Sequence, residues 1–151
     1  MIIFAVHVDD GMVTGSSISL INKFKEDMNM KYQLTDLGAV NWLLGIKITW
    51  DLVNKTLLLS QHAYINAIIT RFNFNDLKPS SMPINPSVPL SKSQSPSKLE
   101  DIAKTKNVPY WEAVGSLMYT AMGTRPDIVF STSTVAQFSD NLGWAHWEAV
   151  K

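Results

Sequence analysis

The sequence predicts an α+β protein in which strands come first and helices follow. Three patterns predict it. An Ile-, Phe- and Val-rich run from Met1 to Val8 is closed by Asp9-Asp10-Gly11. A second pair of β-tolerant runs covers Trp42 to Trp50 and Thr56 to Ser60, and apolar residues recur at helical spacing from Tyr64 onward. With 151 residues and 46% hydrophobic content, the chain can bury one sizeable core, or a small domain with an appended lobe, but hardly two full domains.

Met1 to Val8 and Met12-Val13-Thr14 flank the turn signal and read as a hairpin with the Asp pair at or near its tip. Ser16 and Ser17 are good helix caps. Ile18, Ile21, Phe24 and Met28 then recur every three or four residues, predicting an amphipathic helix to about Met30, with Lys23, Lys25, Glu26 and Asp27 on its polar side. Leu37-Gly38 punctuates the chain before the second strand pair, whose turn falls near Asp51 to Lys55. Tyr64, Ile65, Ile68, Ile69 and Phe72 form the stripe of the next helix, expected to end between Phe74 and Leu77 because Pro79 follows.

Six of the seven prolines fall between Pro79 and Pro109 among many serines, which predicts an extended, mobile loop over 79–109. Val114, Leu117, Met118 and Ala121 mark a further helix. Thr124 is expected to cap another, because Pro126 and Asp127 suit a first turn and Ile128, Val129, Val135, Ala136 and Phe138 can face inward. A last helix begins near Gly143 and continues to Lys151.

Composition narrows the function classes. Thirteen basic and thirteen acidic side chains cancel, so any polynucleotide contact must come from local placement and not from a globally basic surface. The absence of cysteine excludes a disulfide scaffold, a thiol nucleophile and a thiolate metal site. Met1 to Val8 is too short for a membrane span and lacks the basic start and cleavage region of a signal peptide, so no membrane role is expected.

Adjacent carboxylates repel, and successive strand residues face opposite ways, so Asp9 and Asp10 converge only where the backbone turns. A hairpin tip supplies that turn. Oxygen ligands there suit Mg²⁺, which takes few carboxylates, keeps waters and completes its shell from substrate phosphates. Two such ions would clamp the attacking and leaving oxygens of a phosphoryl transfer. On residue types alone, however, Asp-Asp-Gly is more often simply a solvated turn.

The residues downstream of the pair change that weighting. His7-Val8-Asp9-Asp10 resembles the Tyr-Val-Asp-Asp box of copia-type retrotransposon reverse transcriptases. It is followed in register by Gly15-Ser16, Leu37-Gly38, Leu44-Gly45-Ile46, Leu59-Ser60-Gln61, Tyr64, Arg71-Phe72 and Pro83. Val114-Gly115-Ser116-Leu117-Met118-Tyr119, Thr124-Arg125-Pro126-Asp127-Ile128 and His146-Trp147-Glu148-Ala149-Val150-Lys151 complete the series, which spans essentially the whole chain.

The resemblance implies a partial polymerase palm over residues 1–60, made of the catalytic hairpin, a helix and a hairpin similar to the primer grip. A helical thumb-like lobe would follow: a first helix within 61–78, the Pro/Ser-rich loop 79–109, and further helices over 110–151 leading toward a ribonuclease H region. It makes Asp9 and Asp10 the catalytic, Mg²⁺-binding pair, the first usually the more important ligand, with His7 and Val8 near the nucleotide and primer end. Trp42, Leu44, Gly45 and Ile46 would hold the primer, and Lys47 and Arg71 could meet phosphates.

The implied partner is an RNA/DNA primer-template, and the implied setting is intracellular, in a cytoplasmic particle and the nucleus. Fingers, earlier palm strands and a third metal-binding carboxylate would lie upstream of Met1, and the ribonuclease H module downstream of Lys151. His7 departs from the family's Tyr, placing a smaller, protonatable ring beside the reacting ends.

Simpler readings stand beside these. Gly45 lets another backbone approach closely or marks an ordinary β-bulge. Trp42, Trp50, Trp111, Trp144 and Trp147 could stack on bases but are more often core, Trp42 being the exception worth testing. Lys47, Lys55, Arg71 and Arg125 are usually just solvated, and Arg125 can instead be held by Asp127. His62 and His146 lack metal-ligand neighbours and read as surface or helix-end residues. No dinucleotide fingerprint, phosphate loop or nucleophile elbow occurs. The competing functions are a non-enzymatic retroelement remnant that at most binds nucleic acid or protein, and an unrelated Mg²⁺-dependent hydrolase, for which nothing else in the chain supplies ligands.

Overall fold

The computed structural model describes residues 1–151, and they divide into two units, Met1–Leu58 and Leu59–Lys151. Strands β1 (Ile2–His7) and β2 (Asp10–Gly15) open the first unit as an antiparallel pair running from Ile2 opposite Gly15 to His7 opposite Asp10. Helix α1 (Ile18–Tyr32) starts where the Ser17 hydroxyl accepts the Leu20 N–H at 3.3 Å. Satisfying that otherwise orphaned donor is what a serine cap does. The helix ends at Gln33, in the left-handed region at φ 46°, and Asn29 Oδ1 accepts the following Leu34 N–H.

The Phe24 ring of α1 meets Phe4 of β1 at 5.1 Å between centroids. Lys25 of α1 bridges at 2.8 Å to Asp36, beyond the helix, and the same carboxylate accepts the Gly38 N–H. The Lys25 hydrogen bond first, then the Gly38 amide, hold the Asp36 carboxyl below its ordinary pKa.

A three-stranded sheet in the order β3-β4-β5 follows, from β3 (Trp42–Leu43), β4 (Ile46–Asp51) and β5 (Thr56–Ser60). The strand expected to run unbroken from Trp42 to Trp50 is interrupted. Leu44 and Gly45 turn the chain with φ of 48° and 77°, the pair of positive values a two-residue type I′ hairpin turn requires. Gly45 is therefore a turn residue and not a bulge, in a conformation that an L side chain disfavours. Asp51 organises the next turn, accepting the Val53 and Asn54 N–H groups. Within this unit only Ile48 is buried.

The second unit carries helices α2 (His62–Arg71), α3 (Leu99–Thr105), α4 (Tyr110–Gly123), α5 (Val129–Ala136) and α6 (Trp144–Val150), with 3-10 turns at Lys92–Gln94 and Pro126–Ile128. Its core gathers Tyr110, Ala113, Val114, Val135, Trp147 and Val150, with Phe72, Phe74 and Leu117 packed on it. The Tyr110 hydroxyl donates to the Val135 carbonyl at 2.7 Å, so the one polar atom of this large core ring is satisfied.

Helix α2 stops before the predicted 74–77. Asn73 sits in the left-handed region, the Phe74 N–H reaches the Ile69 carbonyl and the Asn73 N–H the Thr70 carbonyl. Those two bonds are the Schellman pattern, which ends a helix by satisfying its last carbonyls without needing Pro79. Segment 79–109 is not one extended loop, since it holds a 3-10 turn and α3.

Thr124 does not cap the following helix either. It closes α4, and its hydroxyl donates to Gln61 Oε1 at 2.7 Å. Gln61 is 2% exposed, and its Nε2 also donates to the Tyr119 carbonyl at 3.4 Å. Gly123 makes room for it: a Cβ there would stand 2.5 Å from Gln61 Nε2.

Candidate functional site

A two-residue turn, Val8-Asp9, joins β1 to β2, so the Asp pair occupies the hairpin tip, with Asp10 as the first residue of β2 opposite His7. Val8 takes φ 53°. The left-handed region is unfavourable for a β-branched residue, so the tip carries local backbone strain. The Val8 side chain is 82% exposed and has no packing that rewards the strain.

Asp9 and Asp10 are exposed, and neither carboxylate makes a hydrogen bond or ion pair. Two unpaired carboxylates at a turn fit the hard-oxygen chemistry of Mg²⁺, which completes its shell with water and phosphate oxygens. No third His, Cys, Asp or Glu joins them into a cluster able to cage an ion.

The second expected group lies on the other sheet of this unit. Trp42 pairs across β3-β4 with Lys47, and Leu43 with Ile46, bracketing the Leu44-Gly45 turn. Trp42 and Leu44 are exposed, placing an aromatic face and a cation side by side at one hairpin. Arg71, on α2 in the second unit, lies with its guanidinium 5.5 Å from the Phe72 ring centroid. His7, Val8, Asp9 and Asp10 thus share one hairpin tip, and Trp42, Leu44, Gly45, Ile46 and Lys47 share another.

Several expectations change on contact with the geometry. Trp42, Trp50, Trp111 and Trp144 are all at least half exposed, and of the five tryptophans only Trp147 joins the core. Arg125 is held by Asp127 through bonds of 2.8 and 2.7 Å from Nε and Nη2. The Asp127 carboxyl is correspondingly lowered by that hydrogen bond. His62 is exposed, near Asn66 at 3.2 Å.

His146 is a helix-end residue, in the first turn of α6, but it does not lie on the surface. It is completely buried, its Nδ1 accepts the Gly143 N–H at 2.8 Å, and its Nε2 lies 3.1 Å from the Ser91 carbonyl. The missed signal was a Gly three residues ahead of a His at a helix start, where a side chain that reaches back caps the first turn. A hollow of about 410 Å³ in the same unit is lined by residues that include Lys98, Asp101, Lys104 and Trp144. No helix is long and apolar enough to cross a membrane.

Residues 1–86 match the family model described as reverse transcriptase (RNA-dependent DNA polymerase). Across 150 residues the chain is 41% identical to the retrovirus-related Pol polyprotein from transposon TNT 1-94 of Nicotiana tabacum, covering 99% of itself and 11% of that polyprotein. It is 32% identical over 146 residues to the retrovirus-related Pol polyprotein from transposon RE1 of Arabidopsis thaliana, covering 97% of itself and 9% of the relative. An uncharacterized mitochondrial protein of Arabidopsis thaliana is 33% identical over 146 residues, 97% of this chain and 57% of that protein. The chain therefore spans about a tenth of the two polyproteins and little more than half of the third relative. No solved structure matches it.

Proposed function

The chain belongs to the reverse transcriptase family of copia-type retrotransposon Pol polyproteins, and from that premise we propose that residues 1–60 form the metal-binding end of a polymerase palm and residues 61–151 its thumb-side helices. In this reading Asp9 and Asp10 hold Mg²⁺ at the hairpin tip. The bound ion would supply charge stabilisation for transfer of a nucleotidyl group to the primer's 3′ hydroxyl. His7 and Val8 flank the primer end and incoming nucleotide. The Trp42-to-Lys47 hairpin positions the primer: Trp42 offers a stacking face, the Leu44-Gly45 turn a close backbone edge, and Lys47 a phosphate contact. Arg71 is a second phosphate contact from the first thumb-side helix.

Fingers, the remaining palm strands and a third carboxylate are supplied by sequence outside residues 1–151, as is a ribonuclease H region. The observation that carries the reading is the pair of unpartnered carboxylates at a hairpin tip, within a chain similar to Pol polyproteins along 99% of its length. The decisive assay joins the chain to the upstream half of the polymerase and supplies a primed template with Mg²⁺. Extension is expected, and Asp9→Asn should abolish it; unchanged synthesis by the variant would remove Asp9 from the site.

The exposure of Ile3, Phe4, Val6 and Val8 favours a second reading, in which the chain by itself is a non-enzymatic remnant that binds nucleic acid or protein through uncovered surface. Polymerase activity from these 151 residues alone would refute it.

A further inference from the structure

We propose that His146 is an acid-sensitive latch: its neutral ring pins the Ser91–Ser95 segment to the start of α6, and protonation of the ring releases that segment. The geometry defines the neutral state. Nδ1 accepts the Gly143 N–H at 2.8 Å, so it carries no proton, and the proton sits on Nε2, 3.1 Å from the Ser91 carbonyl that receives it. One face of the ring stacks on Phe138, with centroids 4.0 Å apart and planes at 9°. The ring has no exposed surface.

The same seam is held at two further points. Ser95 Oγ donates to the Asn141 carbonyl at 2.6 Å, and Gly143 lies so close under the Gln94 carbonyl that any Cβ would collide with it. The segment is thus docked on a surface in which His146 is the titratable element. Residues Gln94, Ser95 and Gly143 of this seam also wall the hollow that Lys98, Lys104 and Trp144 line.

Adding a proton to Nδ1 turns an acceptor into a donor facing another donor, the Gly143 N–H. The bond at 2.8 Å becomes a repulsive contact, and the new charge is buried with no carboxylate partner. Charged side chains on the surrounding elements do not relieve this. Lys92 of the 3-10 turn, Asp140 of the preceding turn and Glu112 of α4 make no hydrogen bond to the ring, Glu148 of α6 is taken by Lys151 at 2.7 Å, and Asp101 of α3 is taken by Lys104 at 3.0 Å. Burial accordingly lowers the His146 pKa, with only the Ser91 carbonyl opposing it. A lowered folded-state value places the stabilisation above the ordinary imidazole range, from which it is lost as pH falls.

The test follows ring and backbone together by NMR in the 151-residue chain between pH 7.5 and 5. At pH 7.5 the His146 ¹⁵N shifts should report an unprotonated Nδ1. Exchange protection at Gly143 and across Gln94–Ser95 should fall by about tenfold or more on acidification, the scale of one lost buried hydrogen bond, while Ala113 and Val114 of α4 stay protected. His146→Gln supplies the control, since glutamine at this helix position can accept the Gly143 N–H but does not titrate. Its segment should hold the same protection at both pH values. A protonated Nδ1 at neutral pH, an acid-indifferent segment in the wild type, or an acid response in His146→Gln equal to the wild type would each overturn the latch. The wild-type ring shifts decide the matter if the variant does not fold.

Discussion

At the scale of single residues, Val8 and Tyr110 show opposite ways in which one side chain sets local stability. Val8 holds φ 53° without any packing reward. Val8→Gly should therefore stabilise the hairpin tip by about 1 kcal/mol, seen as slower amide exchange in β1 and β2. An unchanged exchange rate would mean that the strain is not borne at Val8. Tyr110 is in the core and desolvation pushes its hydroxyl up to about 12. A raised folded-state value means its contribution is complete below the ordinary tyrosine pKa and is lost as pH rises from about 10 toward 12. Alkaline unfolding of the wild type should steepen across that window, and Tyr110→Phe should remove the steepening. The same variant should lower neutral-pH stability by about 1 kcal/mol through loss of the buried bond to the Val135 carbonyl, which keeps the Phe138 N–H as its other donor.

At the scale of elements, α2 and α4 are joined by a polar clasp among the apolar contacts. Gln61 bonds Thr124 and Tyr119, and Gly123 leaves the space it needs. Gly123→Ala should cost about 1–2 kcal/mol by pushing Gln61 off its partners. In a Gln61→Ala background the same change should cost much less, a non-additivity that a double-mutant cycle by denaturant unfolding will measure.

This clasp also shows what the sequence conceals. Leu59-Ser60-Gln61 and Thr124-Arg125-Pro126-Asp127 are visible as motifs, and the Arg125 to Asp127 pairing can be anticipated because the partners are two residues apart. Thr124 resembles a cap for the next helix because its true partner is 63 residues away, beyond any local pattern. The Leu44-Gly45 turn is hidden for another reason: Leu is an unusual choice at positive φ, so the run from Trp42 to Trp50 reads as one strand. The interior position of His146 is not legible locally because its burial depends on a distant carbonyl, that of Ser91.

At the scale of the whole molecule, the two units differ in what holds them. The second has a core of buried aromatic and aliphatic side chains, whereas the first buries Ile48 alone and leaves Ile3, Val6, Trp42, Leu57 and Leu58 exposed. A two-stranded hairpin is marginal in water without packing on a face. Hydrogen exchange should therefore find strong protection in α4, α5 and α6 and near-complete exchange in β1 and β2 of the isolated chain within the same interval. Equal protection in both units would show that the hairpins are stabilised by more than the contacts described. The α+β order is readable from periodicity, because alternation and helical spacing are local properties. The difference in burial is not, since the same apolar strand pattern arises whether or not a partner surface covers it.

Helix α2 is fixed at both ends: Gln61 ties its start to Thr124, and just past its Schellman stop the Phe74 ring lies 5.7 Å from Trp147. Its length is therefore a ruler between two anchor points. Each residue advances a helix by about 100°, so adding or removing one residue within α2 would swing Phe74 out of register with Trp147 even if every side chain were kept. Exchanges of one exposed residue for another along the rod should pass with little effect, whereas a change in its length by a single codon should not.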